Sequence, residues 1–76
     1  MDRAELSAWL RLLETPGIGR TTARRLLLSA GSAAAVFELP EAALVSLMNT
    51  RQREALATPP ERLPSLVDQT WDWLQA

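Results

Sequence analysis

The residues best placed to do chemistry are Gly17, Ile18, Gly19 and Arg20, which follow Pro16. Two glycines so close together permit positive φ, allow a tight turn and leave the backbone N–H groups clear of side chains. A helix that begins directly after them presents its first amide groups and the positive end of its dipole at the same point. The pattern predicts a site where an anionic oxygen, such as that of a phosphate, binds.

Basic residues follow this turn. The segment 15–37 carries three arginines and no acid, a charge of +3, whereas the rest of the chain sums to −4. Arg24 lies four residues after Arg20 and therefore on the same helical face, while Arg25 flanks them. An arginine in a first helical turn opposes the dipole by about 0.3–1 kcal/mol unless an anion is near. The predicted phosphate-contacting residues are Gly17, Ile18, Gly19, Arg20, Thr21 and Arg24. The alternative is that Arg24 and Arg25 are merely solvated.

Helical periodicity on both sides defines the elements that must position this turn. Apolar residues recur every three to four positions between Asp2, a predicted N-cap, and Glu14. A second helix is predicted from Arg20 to Ala30, ended by Gly31 in a left-handed conformation. Two helices joined by Pro-Gly-Ile-Gly form a helix-hairpin-helix. In this motif we expect Ile18 to anchor the turn in the core and the small Ala23 to allow close helix packing.

The remaining chain also shows helical patterns and almost no strand pattern. Ser32 is predicted to cap a short helix through residue 38, with Val36 and Phe37 turned inward. Further helices are predicted for 40–48 and 51–57, and a last helix after Pro64 with Ser65 as its cap. The predicted fold is therefore all-α, a bundle of five to six short helices in one domain, residues 1–76.

The segment 44–57 is interpreted as a degenerate copy of the first helix pair. A shift of 32 residues aligns Ala23 with Ala55, but it places Asn49 and Arg51 where Gly17 and Gly19 stand. We therefore expect this second pair to lack a phosphate-binding backbone.

The last predicted helix is apolar over more than half of its circumference. Val67, Thr70, Trp71 and Leu74 share one face, whereas Leu66 and Trp73 lie on another. Either this helix is central in the bundle, or the Leu66–Trp73 face is covered by something else, such as the rest of a longer protein. Leu66 and Trp73 are accordingly a candidate protein-interaction face.

Composition narrows the function further. The 76 residues are 47% apolar and contain neither cysteine nor histidine, which excludes disulfides, zinc fingers and cysteine–histidine catalysis. We expect no metal, no cofactor and no enzymatic activity, because no carboxylate pair or nucleophile with a base emerges. The net charge of −1 provides no global attraction to nucleic acid or membranes, so any DNA contact must be local. The charged start and the absence of long apolar runs favour a cytoplasmic protein without membrane contact.

Several motifs together resemble one family. The run Leu-Ser-Ala-Trp-Leu-Arg-Leu-Leu-Glu-Thr-Pro-Gly-Ile-Gly-Arg-Thr-Thr-Ala-Arg-Arg-Leu-Leu spans residues 6–27, and Ala-Gly-Ser-Ala-Ala-Ala-Val-Phe spans 30–37. With the late Thr-Trp-Asp-Trp-Leu, they resemble the N-terminal domain of the DNA-processing protein A family, DprA/Smf. The resemblance implies a SAM-like helix-hairpin-helix domain preceding a Rossmann-like domain, so we expect the chain to be a fragment.

The resemblance also implies a biological context. Proteins of this family bind incoming single-stranded DNA in natural transformation, help to load RecA and act as cytoplasmic dimers without catalytic chemistry. Their main DNA site and dimer interface lie in the Rossmann-like domain, so the present chain is expected to add weak, sequence-independent phosphate contacts. Two alternatives are a SAM-like protein-interaction module without DNA binding, and a helix-hairpin-helix domain from another DNA repair or recombination protein.

Overall fold

Six helices and no strand make up residues 2–76, the part of the chain that the computed structural model describes. The helices are α1 (Arg3–Glu14), α2 (Arg20–Ala30), α3 (Ala33–Val36), α4 (Glu41–Leu47), α5 (Thr50–Ala57) and α6 (Leu63–Gln75). The predicted all-α bundle is confirmed.

Three predicted helix-terminal residues have the expected roles. The Asp2 side chain accepts a hydrogen bond from the backbone N–H of Glu5, at 2.7 Å, and caps α1. Ser32 caps α3 in the same way. Gly31 ends α2 with φ at +94°, and its N–H bonds to the carbonyl of Leu27 at 2.8 Å. The boundaries of α1 and α2 therefore agree with the sequence pattern.

The later boundaries differ from the predictions in ways that local chemistry explains. The predicted cap at Ser65 is wrong, because α6 already begins at Leu63. Pro64 lies in its first turn, where the missing proline N–H removes no helical hydrogen bond. Helix α5 starts one residue early, at Thr50, because Asn49 caps it. Helix α3 ends at Val36, two residues before the predicted end.

The core lies where α1, α2, α3 and α5 converge. The buried residues that contact one another there are Leu12, Leu26, Val36, Met48 and Leu56. Full burial of a leucine or valine side chain contributes about 1.5–3 kcal/mol, so these contacts dominate the stability of so small a domain. Val36 points inward as predicted, and Phe37 packs beside it at the edge of the core.

Helix α6 lies antiparallel along α1. Arg3, at the start of α1, pairs with Asp68 on α6, whereas Glu14, at the other end of α1, pairs with Arg62 at 3.1 Å. Val67 is buried between the ends of this contact. The two ion pairs thus fix the direction of α6, and its second half approaches the start of α1.

Candidate nucleic-acid interface

The turn between α1 and α2 spans residues 15–19 and is fastened at its first residue. Thr15 is only 3% exposed, and its hydroxyl donates to the carbonyl of Arg11 at 2.6 Å. The carbonyl of Thr15 in turn accepts from the N–H of Ile18 at 3.4 Å. Sequence reasoning missed this buried threonine. A threonine four residues beyond Arg11 at a helix end was the available signal, since such hydroxyls often bond back to the preceding turn.

The two glycines of the turn have different backbone conformations and different roles. Gly17 has φ at +81°, the left-handed region that glycine reaches without strain. Gly19 has φ at −81° and ψ at 176°, an extended conformation open to any residue, and serves as the N-cap of α2. The expectation that both glycines supply positive φ is therefore wrong for Gly19. A Cβ atom would find open space at either position, so both backbones face outward without obstruction.

The turn is held by the predicted anchors. Ile18 and Ala23 are partly buried and pack against the core. The aliphatic side chain between the two glycines thus points inward while the neighbouring backbone stays exposed. This arrangement anchors the turn in the core and leaves the start of α2 accessible.

The first turn of α2 offers amide groups to an external acceptor. Its first helical hydrogen bond runs from the N–H of Ala23 to the carbonyl of Gly19, at 3.0 Å, and no side chain within residues 2–76 caps the groups before it. Arg20, Thr21 and Arg24 are all exposed on this part of the helix. The six predicted site residues therefore lie together on the turn and the first half of α2.

The arginines of α2 are also free of acidic partners within residues 2–76. Ion pairs engage Arg3, Arg53 and Arg62. Arg11 instead donates to the carbonyl of Leu56 at 3.0 Å and lies over the ring of Phe37. Within the described chain, Arg20, Arg24, Arg25 and Arg51 have neither a carboxylate inside 4.0 Å nor the carbonyl contact that holds Arg11. Three of these four follow the glycine turn on α2.

A glutamine connects α5 to the same turn. The side-chain N–H of Gln52 donates to the carbonyl of Gly17 at 3.1 Å. Its amide oxygen accepts from the backbone N–H of Asn49 at 3.1 Å, while the Asn49 side chain accepts from the N–H of Gln52 at 2.8 Å. The first turn of α5 therefore touches the hairpin, and it carries the unpaired Arg51. Arg51 was not among the predicted phosphate-contacting residues, although the Asn-x-x-Gln pattern of a capping box is visible in the sequence.

The helix pair α4–α5 does not have the geometry of the first hairpin. Five residues, 15–19, separate α1 from α2, whereas two, 48–49, separate α4 from α5. The helix starts at 20 and 50 differ by 30 residues and the preceding helix ends at 14 and 47 differ by 33, so a single 32-residue shift aligns neither. The second turn has no glycine, in agreement with the expected loss of its backbone site.

The candidate protein-interaction face, Leu66 and Trp73, is only partly exposed to solvent. Trp73 is 76% exposed, whereas Leu66 is half-buried. Leu74, on the face shared with Val67 and Trp71, is 50% exposed. The reason is that α6 reaches the start of α1 at Trp71, whose ring lies 5.9 Å from the guanidinium of Arg3.

Two further features are absent from the part of the chain that the structure describes. Among residues 2–76, no group of three or more acidic side chains is gathered as a metal site would require. No helix in the same range combines the length and the apolar character that crossing a membrane demands.

An isoleucine-anchored glycine turn between two helices, the second starting without a side-chain cap, defines a helix-hairpin-helix module. The family model for the DprA-like N-terminal HHH domain matches residues 3–63, and the chain belongs to this family. The match confirms the resemblance and favours this family over the other repair and recombination proteins considered. It ends where α6 begins, so the Thr-Trp-Asp-Trp-Leu segment lies outside it. Comparisons with curated proteins and with solved structures gave no match.

Proposed function

We propose that the α1–α2 hairpin binds the sugar-phosphate backbone of DNA without sequence preference. One observation carries the proposal: the uncapped first turn of α2 coincides with unpaired arginines at positions 20, 24 and 25. A phosphate placed there accepts hydrogen bonds from exposed amides, and it relieves the unfavourable contact of Arg20 with the positive end of the helix dipole.

The expected affinity is low. One hairpin with two to four arginines neutralises few phosphates, and each contact contributes a modest, salt-sensitive increment. The overall charge of −1 adds no long-range attraction. We expect a dissociation constant on the order of 10⁻⁴ M at low salt.

The wider role proposed here rests on family membership. In this proposal the chain is an accessory DNA-contacting module of a DprA-like protein, which handles single-stranded DNA in natural transformation and assists RecA loading. RecA contact and dimer formation are assigned to other parts of such a protein. The module binds and orients DNA, and it performs no catalysis.

The experiment is an amide-shift NMR titration with a short single-stranded oligonucleotide and a short duplex, each at about 0.05 M and about 0.3 M salt. The variant is Arg20→Gln/Arg24→Gln. We expect salt-reversible shifts at Gly17, Ile18, Gly19, Arg20 and Thr21 in the native chain. In the variant the shifts weaken, and the salt slope falls by about 2 because two phosphate contacts are lost.

The matched control is Ser65→Glu/Gln69→Glu, two exposed positions on α6. Both double variants change the net charge from −1 to −3, so they share any general repulsion of DNA. The control should retain hairpin shifts. Equal weakening in both variants, or shifts that persist at high salt, would contradict the proposed site.

A further inference from the structure

An apolar groove runs along the outside of the hairpin, between α1 and α2. Its volume is about 480 Å³, within the range of sites that accept bulky side chains or small ligands. Aliphatic and aromatic side chains line it, including Trp9, Leu13, Leu27 and Leu28. Leu13 is 64% and Leu28 79% exposed, so this surface is open in a single chain.

The rim of the groove is positively charged. Arg20 and Arg24 line it, and no acidic residue does. Neither arginine has a carboxylate partner within residues 2–76. The chemistry that fits the groove is therefore a bulky apolar side chain next to a carboxylate.

The second half of α6 has that chemistry. Trp73 and Leu74 are exposed there, directly after Asp72, which has no basic partner in the described part of the chain. Helix α6 carries two acids, Asp68 and Asp72, and no base. An unpartnered apolar and acidic surface thus exists on the same molecule as an unpartnered apolar and basic groove.

The two surfaces are separated within one chain. The antiparallel contact places the end of α6 at the start of α1, near Arg3, whereas the basic rim lies at the end of α1, beside the turn. The twelve residues of α1 put about 18 Å between its start and the end where the basic rim lies. Within one chain, the end of α6 therefore does not reach the basic rim.

The geometry points to self-association: the groove between α1 and α2 receives the Asp72–Leu74 end of α6 from a second copy of this chain. Trp73 fills the groove, and Asp72 pairs with Arg20 and Arg24 on its rim. A protein occupant fits better than stacked nucleic-acid bases, because the lining is mostly aliphatic and stacking needs aromatic platforms. The contact joins two unlike surfaces and does not pair one patch with itself, so it is either made twice in a twofold dimer or repeated from copy to copy.

The test is sedimentation equilibrium of the full chain without DNA, from about 0.05 to about 1 mM, the range of weak association. The variants are Leu28→Gln in the groove and Trp73→Gln on α6. Both positions are more than three-quarters exposed, so the fold does not depend on them. We expect the native mass average to rise with concentration and each variant to associate at least about tenfold more weakly.

Mixing the two variants distinguishes this contact between unlike surfaces from a contact that pairs one surface with itself. Leu28→Gln retains a working α6 end and Trp73→Gln retains a working groove. Their mixture should therefore recover a complex of one copy of each and stop there. An interface that pairs groove with groove, or α6 with α6, predicts no such recovery, and that result would overturn the proposal.

Charge reversal tests the proposed ion pair between Asp72 and the arginines on the rim of the groove. Arg24→Asp and Asp72→Arg should each weaken association, and the double variant should restore it. The control is Val45→Gln on α4, 55% exposed and outside the groove, which should leave association unchanged. A native chain that stays monomeric over the whole range, or a control as damaging as Leu28→Gln, overturns the inference. Because no DNA is present, these results test self-association alone, whereas the DNA titration tests the phosphate site, which shares Arg20 and Arg24 with the groove.

Discussion

Two of the helix-to-helix turns, the first at residues 15–19 and the second at residues 48–49, treat the start of the following helix in opposite ways. At the second turn, Asn49 and Gln52 close a capping box that satisfies two N-terminal backbone N–H groups of α5 internally. At the first turn, Gly19 provides no side chain, and the first amides of α2 remain open beside Arg20. A closed turn serves the fold alone, whereas an open turn keeps its hydrogen-bonding capacity for another molecule.

The first turn also depends on the second. Gln52 belongs to the closed turn, yet its side-chain N–H holds the carbonyl of Gly17 in the open one. The closed turn therefore supports the open turn without competing for its exposed amides. Variants at the two turns should accordingly separate stability from binding.

The largest stability effect is expected at Gly17. Gly17→Ala places a Cβ atom on a residue with φ at +81°, which costs about 1–2 kcal/mol of unfolding free energy. The control is Gly19→Ser, which should cause no loss, because φ at −81° suits any residue and serine caps helices well. Urea unfolding followed by circular dichroism measures both. Similar losses at the two glycines would show that the turn does not require their different conformations.

Asn49→Ala breaks the closed turn. Removing this cap should lower the unfolding free energy by about 1 kcal/mol, because the N–H of Gln52 loses its acceptor. DNA titration of the folded variant should be unchanged, since the open turn keeps its arginines. A loss of hairpin shifts as large as that of Arg20→Gln/Arg24→Gln would remove the distinction between the turns.

Gln52→Glu isolates the bond between the turns. Glutamate still accepts from the N–H of Asn49, as in other capping boxes, but it no longer donates to the carbonyl of Gly17. We expect a loss of about 0.5–1 kcal/mol and faster amide hydrogen exchange at Ile18 and Gly19. Gln52→Ala, which removes both contacts, should lose more. An unchanged unfolding free energy in Gln52→Glu would mean that the bond to Gly17 contributes nothing.

Gly19→Asn has the smallest expected effect on stability and tests the comparison most directly, because it gives the open turn the cap of the closed one. Stability should rise by a few tenths of a kcal/mol, while DNA-induced shifts at Arg20 and Thr21 should weaken. The uncharged side chain leaves the net charge unaltered, so a change in binding reports the blocked amides. Unaltered DNA shifts would show that the arginines alone account for binding.

The sequence was most informative where a residue acts through its own backbone neighbourhood. Asp2, Ser32 and Gly31 were assigned their helix-terminal roles correctly, because caps depend on a few adjacent positions. The start of α6 was mispredicted because Pro64 is compatible both with a break and with a first helical turn. Local chemistry alone does not choose between those two uses of proline.

Contacts between segments that are distant in the chain could not be predicted from the sequence. Both carboxylate oxygens of Glu5 accept hydrogen bonds from the start of α3, at 2.8 and 3.2 Å from the N–H groups of Ala33 and Ala34. The link from Gln52 to Gly17 spans 35 positions. No pattern within a helix encodes such partners, because they depend on how the helices are arranged in space.

The sequence by itself determined the helices, the glycine turn, the anchoring isoleucine and the cluster of arginines, because periodicity, capping and turn formation are local. The tertiary structure decided which arginines are unpaired, which glycine is left-handed, and that Leu74 is exposed with Trp73. Those properties depend on the ends and directions of the helices: α6 runs antiparallel to α1 and reaches its start at Trp71, so the side chains beyond have no inner surface to cover.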